Sequence, residues 1–471
     1  MLSRKIFFNT FIAAGARIIG LALSLVTIGL VSRYLGQAGF GYYSTILAFL
    51  FFFTIIADLG LYSICLREIS RPKANEKKIV SNAFTLRFFA GLSVFVLAPL
   101  VIYLFPYPAQ IKWGVLIGAL GFWLMSNQQV LIGVFQKHLR MDKVALAELI
   151  ARVVQLALVA VFVWQGMNFL FIISALAVSA LFNFVLVFIF SRKYIPISFE
   201  FDFKFWRSLL KESLPLGLAV IFTLIYFRLD TLMLSLMKPA ADVGIYNLGY
   251  KFLESLIFFP TMFIGLVMPL MSEYALSAKE KFRKVVQKAL DVLLIFAIPL
   301  MIGILFLSER MVVLIAGQEF ILSSGVLDIL IIAVGIIFLS VLFSNMIISL
   351  RKQKALVYIY GLGAIINLIA NFIFIPKYSY YGAAATTVIT EFVVVCLMLI
   401  VLFKILRYLP SFRSFVKPFL AGLVMALLLY FLADLSLFIL IFLGALVYFF
   451  VLYLLDGASI KKVLSLIQKE V

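Results

Sequence analysis

Runs of about twenty apolar residues, broken only by short charged or turn-rich segments, recur along the whole of this 471-residue chain. A hydrocarbon layer about 30 Å thick needs roughly 20 such residues for each helical crossing. Reading the runs between breaks predicts helices near 7–34, 41–66, 80–105, 112–136, 144–164, 168–191, 209–237, 245–271, 289–307, 326–350, 356–376, 382–404, 417–434 and 436–456. Hydrophobic residues make up 65% of the chain and charged residues 13%, more apolar surface than soluble cores of ordinary size can hide. The expected fold is an all-α integral membrane protein of about fourteen transmembrane helices.

The net charge of +19 would point a soluble protein towards nucleic acid, so its distribution matters. With the N-terminus inside, alternate connectors carry thirty Lys and Arg residues on the inner side and five on the outer side, the five being Arg33, Lys112, Lys238, Arg310 and Lys377. Cytoplasmic loops accumulate basic residues in this way. The split places both termini in the cytoplasm and accounts for most of the charge without a nucleic-acid partner. The first run is too long for a signal-peptide core and lacks a cleavage site, so it is expected to remain as helix one. The longest outward connector, Ser308 to Gly325, mixes apolar and polar residues as a surface-lying segment does.

Ala38-Gly39-Phe40-Gly41-Tyr42-Tyr43 at the junction of helices one and two is echoed 203 residues later by Ala241-Asp242-Val243-Gly244-Ile245-Tyr246. The spacing predicts two pseudo-symmetric six-helix lobes, 1–205 and 206–404, with two further helices in 405–471. Repeated halves around a midplane cavity are an arrangement for alternating access. Pro215, Pro260 and Pro269 fall within spans seven and eight and are candidate bends.

A charge deep in lipid is costly, at least about 2.5 kcal/mol, and is expected to face water or the bundle interior. Arg17, Arg152 and Arg228 lie roughly 12–15 Å from the nearest end of their spans. A guanidinium stays protonated and grips phosphate oxygens through two parallel bonds, so these three are candidate contacts for an anionic substrate. Glu148 is one turn from Arg152, which leaves a structural ion pair as the alternative there, and Lys251 with Glu254 invites the same reading. Asp58, Asp230 and Glu391 are candidate sites for a coupling H+ or Na+, or else helix-helix hydrogen-bonding groups. Among the intramembrane amides, Asn127 and Asn367 are candidate sugar contacts, since an amide both donates and accepts.

Cys65 and Cys396 lie inside apolar runs, which supports neither a disulfide framework nor a metal site. His138, beside Arg140 on an inner connector, reads as a solvated residue rather than a base. No G-x-x-x-x-G-K-[ST] loop occurs, so no cofactor is expected and transport energy must come from an ion gradient, the membrane potential or product consumption.

Further stretches carry a family resemblance: Ser32-Arg33-Tyr34-Leu35-Gly36; Asp58-Leu59-Gly60-Leu61; Arg228-Leu229-Asp230-Thr231-Leu232; and, in order, Ala316-Gly317-Gln318-Glu319-Phe320, Arg351-Lys352-Gln353-Lys354, Asn367 to Asn371, Ile375-Pro376 and Gly382 to Glu391. With these the chain resembles the polysaccharide and O-antigen flippases of the multidrug/oligosaccharidyl-lipid/polysaccharide exporter superfamily. That resemblance implies a non-enzymatic flippase of the bacterial inner membrane. It would move undecaprenyl-diphosphate-linked oligosaccharides to the outer leaflet for O-antigen or capsule assembly; a polysaccharide polymerase is a candidate partner, and the sequence reveals no physical link to one. An ion-coupled small-solute exporter of the same superfamily is the alternative. A membrane glycosyltransferase or polymerase fits less well, because the outward connectors are short.

Overall fold

The computed structural model describes residues 2–58, 60–71 and 74–468, and leaves outside that description the side chains of residues 2–14, 55, 56, 58, 63, 214–221, 223–226, 276 and 456–468. The described residues are helical almost throughout and form no strand. Two compact units divide the chain, Met1–Gly244 and Ile245–Val471. The first holds α1 (Leu2–Asp58), α2 (Leu61–Ile69), α3 (Glu76–Val101), α4 (Ala109–Lys137), α5 (Met141–Trp164), α6 (Phe169–Ser191), α7 (Phe203–Met237) and the first residues of α8 (Ala240–Ser277). The second continues α8 and adds α9 (Lys279–Ala316), α10 (Leu322–Ser349), α11 (Gln353–Leu406), α12 (Val416–Phe431) and α13 (Leu437–Gln468).

Among the described residues, eleven helices are long and apolar enough to cross a membrane. Two of them, α1 and α11, are each folded into two arms, and α7 is a further helix of 35 residues. The connectors expected near 35–40 and 377–381 are therefore single-residue folds at Gly36 (φ 65°) and Ser379 (φ 49°). Helix two, expected as 41–66, is instead interrupted at Gly60 (φ 80°), beyond which the chain continues as α2. Glycine adopts this left-handed conformation without the Cβ clash that other residues suffer.

Side-chain neighbours fix the direction of each arm of α1. Arg152 reaches Gly20 and Ser24, and the Tyr34 hydroxyl donates to the Met167 carbonyl at 2.6 Å, so the first arm runs alongside α5. Gly114 and Gly118 of α4 admit Ile46 and Leu50 of the second arm, and a Cβ on either glycine would crowd that side chain. Small residues let helices approach closely where lipid supplies no hydrophobic drive. In α11 the pairs Gly363 with Val394, Asn367 with Thr390 and Phe374 with Gly382 run in opposite directions along the chain, the signature of an antiparallel hairpin closed at Ser379.

The 203-residue repeat also appears as a contact. A Cβ on Gly41 would overlap the Ala240 carbonyl oxygen, and a Cβ on Gly244 would overlap the Gln37 carbonyl oxygen. Gln37 and Ala240, like Gly41 and Gly244, are related by that same spacing of 203. The two junctions thus cross reciprocally, and each supplies the glycine that lets the other's backbone in.

Helix ends extend past the apolar runs. α3 begins at Glu76 rather than 80, and α9 spans Lys279–Ala316 rather than 289–307, because intrahelical hydrogen bonds continue into polar sequence while hydropathy marks only the lipid-facing length. The outward segment expected to lie on the surface is instead the last two turns of α9, a short 3-10 turn at Gln318–Phe320 with Phe320 buried, and the start of α10. α8 continues through both Pro260 and Pro269, while the side chain of Pro215 lies outside the described residues.

At the basic end of the first unit Leu61, Ile64, Val80, Phe84, Val134 and Phe135 form a core joining α2, α3 and α4. In the second unit Ile295, Ile298, Ala421, Met425 and Tyr448 join α9, α12 and α13, and the Tyr448 hydroxyl donates to the Ile295 carbonyl at 2.8 Å.

Candidate substrate site

Arg152 lies across the first arm of α1. Its Nη1 donates to the Gly20 carbonyl at 3.3 Å and to the Ser24 hydroxyl. Gly20 makes room for it, since a Cβ there would stand 3.1 Å from the Arg152 Cδ and Nε. Arg17, one turn before Gly20 and exposed, lies within electrostatic reach of Arg152, as does Glu148. The expected proximity of Glu148 to Arg152 therefore holds, and Arg17 brings a second guanidinium to the same seam.

Arg228 on α7 stands over the Phe51 ring of the second α1 arm, 5.1 Å from its centroid, a cation–π geometry. Ser24 and Phe51 lie 12 and 15 residues on either side of the Gly36 fold. The rise per residue puts both about 18–22 Å from that fold, so Arg152 and Arg228 meet α1 at similar depth. The structure thus gathers the three arginines along one helix of the first unit.

The other predicted residues have different surroundings. Asn127 is buried and donates back to the Trp123 carbonyl of its own helix at 2.8 Å. Asn367 is buried within the α11 hairpin, donating to the Thr390 hydroxyl at 3.3 Å and accepting from Asn371 at 3.0 Å. Glu391, 1% exposed, follows Thr390 on the second arm and is felt electrostatically by Tyr360. Carboxylate, amide and hydroxyl oxygens are hard donors of the kind that hold a proton or a sodium ion. Asp230 is buried, and the side chain of Asp58 lies outside the described residues. Lys251 and Glu254 form the pair their spacing predicts, at 2.8 Å.

Counted from residue 80, where its apolar run begins, Arg87 stands nearer the end of its span than Arg17, Arg152 or Arg228. Among the described residues it is the largest fully buried side chain, 1% exposed, and its Nε donates to the Ser126 hydroxyl at 3.2 Å. The early start of α3 explains the difference: Arg87 stands eleven residues into the helix rather than seven. Beside it a narrow apolar cleft opens between the second α1 arm, α3 and α4, lined by Phe53, Val94, Phe95, Phe122 and Trp123 with Thr54 and Ser126 as polar members. An aromatic-rich floor of this kind has no distinctive signature in a chain with 50 phenylalanines.

Known proteins provide independent comparison. The sequence profile of the family described as "Polysaccharide biosynthesis protein" matches residues 6–275, and that of the MatE family matches residues 215–373. A protein of Haloferax volcanii described as "Probable low-salt glycan biosynthesis flippase Agl15" is 24% identical over 388 residues, 80% of this chain and 79% of its own. The fold is similar to that of the lipid II flippase MurJ in an inward closed conformation, with a TM-score of 0.81 at 18% identity over 96% of this chain and all of that one. It is also similar to an inward-facing multidrug resistance transporter of the MATE family, with a TM-score of 0.65 at 13% identity over 84% of this chain and 98% of that one. This multi-pass membrane protein therefore belongs to the polysaccharide biosynthesis protein family.

Proposed function

We propose that this chain flips undecaprenyl-diphosphate-linked oligosaccharide repeat units from the cytoplasmic to the outer leaflet of a bacterial inner membrane, by alternating access. The observation that carries this reading is the set of deep cations in the first unit, with Arg17 beside Arg152 on the α1–α5 seam and Arg228 over Phe51. A diphosphate offers several anionic oxygens, and guanidinium groups recognise them bidentately at any physiological pH. Both termini face the cytoplasm in this reading, as the basic connectors require. Asn127 and Asn367 serve as sugar contacts when the packing around them opens. Asp58, Asp230 and Glu391 are the candidates for ion coupling, and the Glu391, Thr390 and Asn367 group supports a proton or sodium site in α11. The product would pass to a polysaccharide polymerase.

Deletion of the gene followed by extraction of glycan-lipid intermediates and a leaflet assay tests the reading. Repeat units trapped on the cytoplasmic side are expected, and Arg17→Ala with Arg228→Ala should reproduce the block at normal protein abundance. The MatE match favours a second reading, ion-coupled export of small solutes. A normal glycan profile together with lost drug export would select it.

A further inference from the structure

The segment joining α6 to α7 is bound to α3 through its backbone. The N–H groups of Ser198, Glu200 and Asp202 donate to Ser81 Oγ (3.2 Å), Thr85 Oγ1 (3.0 Å) and Asn82 Oδ1 (2.9 Å). Every second N–H of an extended strand points the same way, so residues 198–202 lie as a strap against α3. The alternate residues are aromatic and outward: Phe199 is 53% exposed, Phe201 56% and Phe203 70%. Their rings continue one patch, with Phe199 5.2 Å from Phe88, Phe201 5.8 Å from Phe89, and Phe203 5.1 Å from Trp206. The strap meets α3 five to nine residues from the helix start, about 8–13 Å along it, a depth that suits a water–lipid interface.

Charge is sorted around this patch. Glu200 accepts from Asn82 at 3.0 Å, Asp202 pairs with Lys78 at 2.8 Å, and Glu212 pairs with Arg67, so the acids of the segment are engaged within the protein. Lys204, Arg207 and Lys211 are exposed at i, i+3 and i+7, one face of the opening turns of α7, and Arg192 and Lys193 are exposed just before the strap. An aromatic row next to a basic stripe is the combination by which an interfacial segment takes up anionic lipid, the rings entering the acyl boundary and the cations meeting the phosphate oxygens.

We infer that the α6–α7 strap and the first turns of α7 form a binding surface for anionic phospholipid, in which Lys204, Arg207 and Lys211 hold the headgroup and Phe199, Phe201 and Phe203 seat the chains. Trp206 reports on the surface directly. In the full chain carrying W113F, W123F and W164F, reconstituted in nanodiscs, brominated phosphatidylglycerol should quench Trp206 several-fold more than brominated phosphatidylcholine at equal mole fraction. K204Q/R207Q/K211Q should bring the two lipids to parity. A second measurement needs no tryptophan replacement: phosphatidylglycerol added to the detergent-solubilised native chain should raise its Tm, and the same triple variant should abolish the rise. Equal quenching by the two lipids, or a phosphatidylglycerol preference unchanged in the triple variant, would overturn the assignment.

Discussion

Arg87 and Arg152 are both deep arginines of the first unit, and their surroundings give them different work. Arg87 is enclosed between α3 and α4 with Ser126 as a partner, whereas Arg152 is half-buried and rests on backbone and hydroxyl oxygens of α1. A buried cation whose hydrogen bonds are lost destabilises the fold, by about 1.5–3 kcal/mol for a bond to a charged group. Arg87→Ala should therefore lower the melting temperature in detergent by several degrees, while Arg152→Ala should leave it nearly unchanged and reduce transport. A second residue-scale expectation concerns pH. The Lys78 ammonium beside Asp202, then the Phe205 N–H, holds the Asp202 carboxyl below the usual carboxylate range. A lowered folded-state pKa contributes stability that is complete above the unfolded value, about 3.9, and is lost as the pH falls through the lower folded value. Trp206 emission in a chain with that tryptophan alone should accordingly stay constant from neutrality down to about pH 4 and shift below it. Lys78→Met should move the shift to higher pH.

At the scale of elements, the reciprocal crossing of Gly41 and Gly244 leaves the least room among the described glycines of the first unit. A methyl group on either would overlap a carbonyl oxygen of the opposite strand of backbone, which cannot move as a flexible side chain can. Gly41→Ala and Gly244→Ala should each destabilise by about 1–3 kcal/mol, the usual range for overpacking. Gly265→Ala is the control, because nothing lies within 4 Å of a Cβ there. Thermal melts of the three variants decide the matter, and equal melting of all three would show that the crossing carries no constraint. The repeat that exposed this pair was legible in the sequence as a spacing of 203 residues, but the spacing alone did not say that the two junctions touch. Likewise the apolar runs located both arms of α11, yet the pairing of Asn367 with Thr390 depends on the fold at Ser379. Serine is not a residue that advertises a positive φ, so this turn left no signal of its own.

For the whole molecule, the distribution of lysine and arginine makes a topological prediction. An alkaline phosphatase reporter fused after Lys404 or at the C-terminus should be inactive, and one fused after Gln318 should be active; a cytoplasmic fluorescent reporter should give the converse. The opposite pattern would invert the orientation and with it the direction of transport proposed above.

Hydropathy and charge are one-dimensional properties. They count residues that must leave water and connectors that resist translocation, so the all-α membrane class, the number of passages and the expected orientation follow from the sequence with no knowledge of contacts. The resemblance carried by motifs such as Asp58-Leu59-Gly60-Leu61 and Arg228-Leu229-Asp230 added the family. What tertiary structure alone decided is which polar groups share a place. Arg152 meets Gly20 and Ser24 from 128 or more residues away, and Arg228 finds Phe51 on another helix. Such meetings depend on small residues where helices cross and on single left-handed residues where they fold back, geometry that composition averages away.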